Sequence, residues 1–181
     1  MRKIITVLCL TVCIHTMYAQ NKPTKEETIA FINRTAEEAI GTIYNSTRTK
    51  EISFDLMSYR RISIMEINKD NGTIVETNKY VETQTFPSLE FLNMEKEFEL
   101  MNCEVGRDDI CEIWIPFKKD VKREETNNGL ASYNRNESKK EVGYSSVLAI
   151  LIPKGKAESV KKAFLRLTEI VKEENKDPFA D

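Results

Sequence analysis

Two long stretches of this chain repeat their apolar residues at helical spacing, and the stretch between them alternates with a period of two. Ile29, Ile32, Ala36, Ala39, Ile40 and Ile43 form one helical stripe. Thr24 and Glu27 form a capping box at its start, with Pro23 just before. Gly41 weakens the last turn and 45–50 reads as a polar loop. Alternation then takes over at Ile52, Phe54 and Leu56, and again at Ile62 and Ile64. Lys69-Asp70-Asn71-Gly72 is a hairpin turn signal, followed by a return strand over 73–85 that Phe86-Pro87-Ser88 stops. The segment 89–94 fits one helical turn or a short strand. Segments 98–105 and 110–117 read as a second hairpin, and 144–153 as a buried strand. After a turn at Lys154-Gly155, the segment 156–174 carries the second stripe, Ala157, Val160, Phe164, Leu167 and Val171, supported by Ala163 and Ile170. The remaining stretch, 118–141, is rich in Lys, Glu, Asn and Ser and reads as a mobile polar loop at a hairpin tip.

Strands in series between two helices, without βαβ alternation, indicate an α+β fold. The expected architecture is an antiparallel meander forming a curved sheet or partly open barrel. An N-terminal helix precedes it, and a C-terminal amphipathic helix covers its open end or face.

The N-terminal residues change the chemical picture. Arg2 and Lys3 precede an apolar run over 4–14, and Ala19 is a small residue before a cut. This pattern predicts a signal peptide at 1–19 and a single domain at 20–181, secreted or periplasmic. The run is too short to span a bilayer, which takes about 20 residues. No second such run follows, so no transmembrane segment is expected in the mature chain. A lipobox reading with Cys13 as the anchor conflicts with the bulk of Val12. Cleavage removes His15, the chain's single histidine, and two of its four cysteines. Histidine-based nucleophilic and zinc chemistry goes with them. Loss of Arg2 and Lys3 takes the net charge from −2 to −4. The charges are mixed along the chain, which argues against a nucleic-acid partner.

The two remaining cysteines, Cys103 and Cys111, fall opposite each other if the hairpin turn centres on Arg107. They read either as a cross-strand disulfide or as two buried thiols. Glu95, Glu97 and Glu99 would line one strand face, as a cation site or as a solvated surface. Asp108 and Asp109 with Glu104 and Glu112 offer carboxylates, but a hairpin tip is a poor place to tune them. Ser159 and Lys162 match a serine–lysine spacing without its partner motifs. Trp114 reads as a core residue on the second face of its strand, or as an exposed binding aromatic. Lys118, Lys119, Lys122, Arg123, Lys139 and Lys140 bracket the polar loop, and with Tyr133 they form a candidate partner-binding patch. Sequons occur at Asn33, Asn45, Asn71 and Asn136.

The strand SSVLAILIP, the turn KGK and the helix AESVKKAFLRLTEIV resemble the end of pleckstrin-homology-like barrels. The ending VKKAFLRLTEIVKEENKDPFAD is similar to that of small secreted bacterial proteins of uncharacterised function. The resemblance implies a seven-stranded barrel plugged by its C-terminal helix. A phosphoinositide site does not carry over, because adjacent Arg60 and Arg61 point to opposite faces of a strand. No catalytic, cofactor or metal residue is assigned. The expected function is a secreted, non-enzymatic binding or envelope-assembly domain, its partner a protein, glycan or lipid of the envelope. A carrier holding an apolar ligand among Phe54, Phe98, Phe117 and Phe164 is the alternative, followed by a carboxylate-dependent hydrolase.

Overall fold

The capping box starts the first helix as the sequence demands. Thr24 Oγ1 accepts from the Glu27 amide at 3.2 Å, and Glu27 Oε2 accepts from the Thr24 amide at 2.9 Å. Helix α1 spans Lys25–Glu37. A computed structural model of the chain describes residues 22–44, 47–69, 71–95, 99–101, 110–129 and 138–176. The stripe predicted to reach Ile43 stops earlier. Gly41 adopts φ 86°, the chain turns there, and Ile40 and Ile43 are exposed.

The strands are β1 (Ile43–Tyr44), β2 (Thr47–Phe54), β3 (Ser58–Asn68), β4 (Ile74–Thr85), β5 (Glu99–Met101), β6 (Ile110–Gly129) and β7 (Ser138–Pro153), and helix α2 (Ala157–Glu174) follows. Neighbours run antiparallel in the order β1-β2-β3-β4-β6. Strand β7 pairs along β6, and β5 pairs with the first part of β6, beyond the end of β4. Asp55 forms the β2–β3 turn, its Oδ1 accepting from the Met57 and Ser58 amides. Gly72 at φ 78° completes the β3–β4 turn. The ambiguous 89–94 segment contains a 3-10 turn, Leu89–Phe91, capped by Ser88.

The polar loop expected at 118–141 is largely strand. Residues 118–129 belong to β6 and 138–141 to β7, paired from Val121↔Ser145 to Asn128↔Ser138; 130–137 lie outside the described residues. Ladder hydrogen bonds are made by the backbone and are indifferent to side-chain polarity. Charge pairs along and across the strands then make a polar arm tolerable. Glu124 accepts from Lys122 at 2.6 Å and from Lys140 at 3.0 Å.

A bulge interrupts β6 between Pro116 and Val121, where Lys118, Lys119 and Asp120 are exposed. Before it, Glu112 and Trp114 lie opposite Leu151 and Ala149; after it, Arg123 and Glu125 lie opposite Gly143 and Glu141. The cleft-facing side chains of β6 therefore change from even-numbered to odd-numbered at the bulge. The strand bends there too, so the first part of β6 with the end of β7 faces back across β3 and β4.

The sheet is curved and not closed. Helix α1 packs against both β2 and β7, and against α2. Asn33 on α1 fastens it to the free edge of β2. Its Nδ2 donates to the Phe54 carbonyl and its Oδ1 accepts from the Phe54 amide, both at 2.8 Å. One side-chain amide thus replaces the strand that β2 lacks at this point. Helix α2 buries its expected stripe and packs on α1 and the 3-10 turn. Filling the sheet opening thus falls to α1 as much as to α2, which sequence periodicity alone does not distinguish. Phe164 meets Phe54 edge-on at 5.1 Å, Phe54 stacks near Phe86 at 6.4 Å, and Phe86 lies 5.7 Å from Phe117.

Loss of the Asn33 clamp orphans two backbone groups. Asn33→Ala is expected to cost about 2 kcal/mol in urea denaturation, and Asn33→Asp at least as much, because its carboxylate sets an oxygen against the Phe54 carbonyl. Phe164→Ala opens the aromatic chain and is expected to cost about 3–5 kcal/mol by the same measurement.

Candidate functional cleft

Strand β3 carries Tyr59, Arg61 and Ser63 on one face, and the register sets Arg61 opposite Glu82 and Tyr59 opposite Gln84 on β4. Gln84 in turn lies opposite Arg123 on β6. The bend in β6 swings Glu112 and Trp114 over this row. Together they line a cleft of about 340 Å³, with Ser145, Val147, Ala149 and Leu151 of β7 along one wall.

Arg61 spans the cleft. Its Nη2 donates to Glu82 Oε2 at 2.8 Å and its Nη1 to Glu112 Oε1 at 3.1 Å. Glu82 Oε1 also accepts from Arg123 Nε at 2.8 Å, and Arg123 Nη2 reaches Glu125 at 2.9 Å. Trp114 Nε1 donates to Glu112 Oε2 at 2.9 Å, which fixes the ring against the wall. The Glu82 and Glu112 side chains are only 10% and 9% exposed, so both charges depend on these partners. Burial alone would lower the Arg61 guanidinium; Tyr59, Glu82 and Glu112 outweigh it and hold the group above its usual range. Burial pushes the Tyr59 phenol well up, with the two glutamates adding to the shift and Arg61 and the Leu151 backbone opposing it.

Gln84 Oε1 is buried with no hydrogen-bond partner among the described residues, and the Tyr59 hydroxyl is buried with no well-formed one, its approach being to the Leu151 backbone. The Gln84 Nε2 points to Glu82 Oε1 at 3.5 Å, so the amide turns its oxygen away from the carboxylates.

The basic patch expected at the loop is not one surface. Lys122 and Lys140 sit on one face of the β6–β7 arm with Glu124, while Lys139 pairs with Glu141 and Arg123 turns into the cleft. The period of two in each strand divides them. Lys118 and Lys119 are exposed on the bulge, and Tyr133 lies outside the described residues. Cys111 is buried and disulfide-bonded; Cys103 lies outside the described residues. Met101 pairs with Glu112, one residue out of step with the register that sets Cys103 opposite Cys111.

Trp114 is half-buried at the cleft, between the two expectations for it. Glu112 lies in the cleft and not at a hairpin tip. Arg60 is held by Glu51, away from Arg61, as their adjacency requires. Asn33 has both amide atoms committed to Phe54, which removes it as a glycan acceptor; Asn71 is exposed in its turn, and Asn45 and Asn136 lie outside the described residues. Ser159 is exposed on α2. Phe54, Phe117 and Phe164 are packed in the core, and Phe98 lies outside the described residues. Of the glutamates on the proposed cation face, Glu95 is exposed and Glu99 starts β5, while Glu97 lies outside the described residues. Among the described residues no cluster of three His, Cys, Asp or Glu could hold a metal ion. Among the same residues no helix is long and apolar enough to cross a membrane.

Sequence reasoning missed Arg61, Glu82 and Gln84 as members of one site. The available signal was polar residues at period two, Arg61 with Ser63 between Ile62 and Ile64, and Glu82 with Gln84 after Val81.

Arg61→Met leaves two buried carboxylates without their shared cation and is expected to cost about 3–5 kcal/mol by chemical denaturation. The raised Tyr59 pKa stabilises the fold below pH about 10, where an unfolded tyrosine still keeps its proton, and this contribution is lost as pH rises beyond. Tyr59→Phe is therefore expected to shift alkaline unfolding to higher pH. At neutral pH it should change stability by no more than about 1 kcal/mol, since the hydroxyl's single approach, to the Leu151 backbone, falls short of a well-formed hydrogen bond. Comparison with protein-family models, with curated proteins and with solved structures finds no match for this chain, so the cleft is interpreted from its own chemistry.

Proposed function

We propose that this chain is an exported, non-enzymatic binding domain of the cell envelope that holds its ligand in the cleft between β3–β4 and β6–β7. The observation that carries this reading is a preformed polar cleft with a fixed tryptophan on its wall and an unpartnered buried amide oxygen in its lining. The signal-like N-terminal pattern supports export, and so does the disulfide at Cys111, a bond that persists in oxidising compartments.

Two other readings have less support. An apolar carrier needs space where Phe54, Phe86, Phe117 and Phe164 are already in contact. A hydrolase needs a carboxyl free to exchange a proton. Glu82 and Glu112 do share the cleft, but Arg61, Arg123 and Trp114 hold all four of their oxygens.

Native mass spectrometry tests the reading. The folded protein is incubated with the small-molecule fraction of an envelope extract and desalted. A stoichiometric adduct is expected, absent from Ala149→Phe, which fills the cleft from the β7 wall. No adduct, or one retained equally by Ala149→Phe, contradicts the cleft as the binding site.

A further inference from the structure

We infer that the cleft binds a neutral polyhydroxylated ligand, a saccharide of one or a few rings, with Gln84 as its central hydrogen-bond acceptor and Trp114 as its stacking wall. This rests on the cleft being the binding site and goes on to name the ligand class.

Charge decides first. The cleft carries Arg61 and Arg123 against Glu82 and Glu112, and each is bonded to a partner of opposite sign. A phosphate or carboxylate would meet two buried glutamates, and a cation would meet Arg61. Either must break an internal pair to enter, and the freed group would be left buried and uncompensated. A neutral ligand leaves the network intact.

Hydrogen bonding narrows the class. Gln84 is 2% exposed, yet its Oε1 has no partner. That oxygen has no accessible surface in this structure, so a ligand donor reaches it, and removes the standing penalty of an orphan acceptor, once the Gln84 side chain turns its amide into the cleft. Thr49 and Ser63 add hydroxyl groups to the lining, and Arg123, the more exposed cation of the network, adds donors. A hydroxyl both donates and accepts, so a polyol matches this mixed lining where a pure donor or pure acceptor does not.

Shape agrees. The volume of about 340 Å³ lies at the small end of the roughly 300–1,000 Å³ typical of ligand clefts. The Trp114 ring lines the cleft and is held by its Nε1 bond to Glu112, so an aromatic surface for a sugar ring is in place without further ordering cost. Val147 and Ala149, both half-buried, continue that wall with apolar surface for the C–H face of a sugar ring.

Trp114 is the chain's single tryptophan, so intrinsic fluorescence reads the cleft without a label. Glucose, galactose, mannose and N-acetylglucosamine, with their β-linked disaccharides, are titrated to tens of millimolar. Inorganic phosphate, glutamate and lysine serve as charged probes. At least one neutral sugar is expected to give a saturable change, about tenfold weaker in Gln84→Met. Gln84→Met keeps length and removes the orphan acceptor, so it should fold at least as well as the parent. Ala149→Phe, which adds no tryptophan, is expected to abolish the response. A response to the charged probes alone, or a sugar response unchanged in both variants, overturns the assignment. No response to any sugar overturns it too, and a mass adduct with the envelope fraction would then show that the cleft binds another class of ligand.

Discussion

One guanidinium organises this molecule. Arg61 joins Glu82 on the neighbouring strand to Glu112 on a strand 51 residues away in sequence. It does so at a point where the sheet has bent back on itself. Without a cation there, two carboxylates that are nearly sealed from water would face each other across a narrow gap. With it, the gap has a fixed width and a fixed charge pattern. The same contact places Trp114, because the tryptophan shares Glu112 with Arg61.

The geometry that makes this contact possible comes from the β6 bulge. Strand β6 is 20 residues long, and a straight strand of that length could not serve both ends of so small a sheet. Three exposed residues, Lys118 to Asp120, let it bend and reverse which side chains face the cleft. The first part then buries Cys111, Ile113 and Ile115 against the core, while Glu112 and Trp114 look into the cleft. Helix α1 fits the remaining gap between β2 and β7, secured at Asn33. Core and cleft are therefore two sides of one bend. The aromatic chain from Phe164 to Phe117 fills the first, and the arginine–glutamate network sets the second.

Periodicity carried much of this. The capping box at Thr24, the stripe of α2 and the turn at Gly72 are local features, written in residues close to each other in the chain. The α+β order followed from them. The arm at 118–141 escaped detection because composition speaks of solvation and not of backbone pairing; Lys122, Glu124 and Lys140 are polar and still sit in a ladder. The cleft escaped for a different reason. Arg61, Glu82 and Glu112 are ordinary surface residue types on separate strands, and only the parity switch at the bulge turns Glu112 toward the other two. A non-local register cannot be read from alternation within one strand. The basic residues around the arm, by contrast, were visible from composition, while their distribution over two faces follows from alternation in the paired strands.

The most direct test is a double-mutant cycle between Arg61 and Glu112, using Arg61→Met, Glu112→Gln and the double variant in urea denaturation. If the guanidinium bridges the two halves of the bent sheet, the pair should show a coupling energy of about 2 kcal/mol, within the range for bonded neighbours. Additive single effects, with coupling below about 0.5 kcal/mol, would show that the halves are held together without Arg61 and would contradict the account.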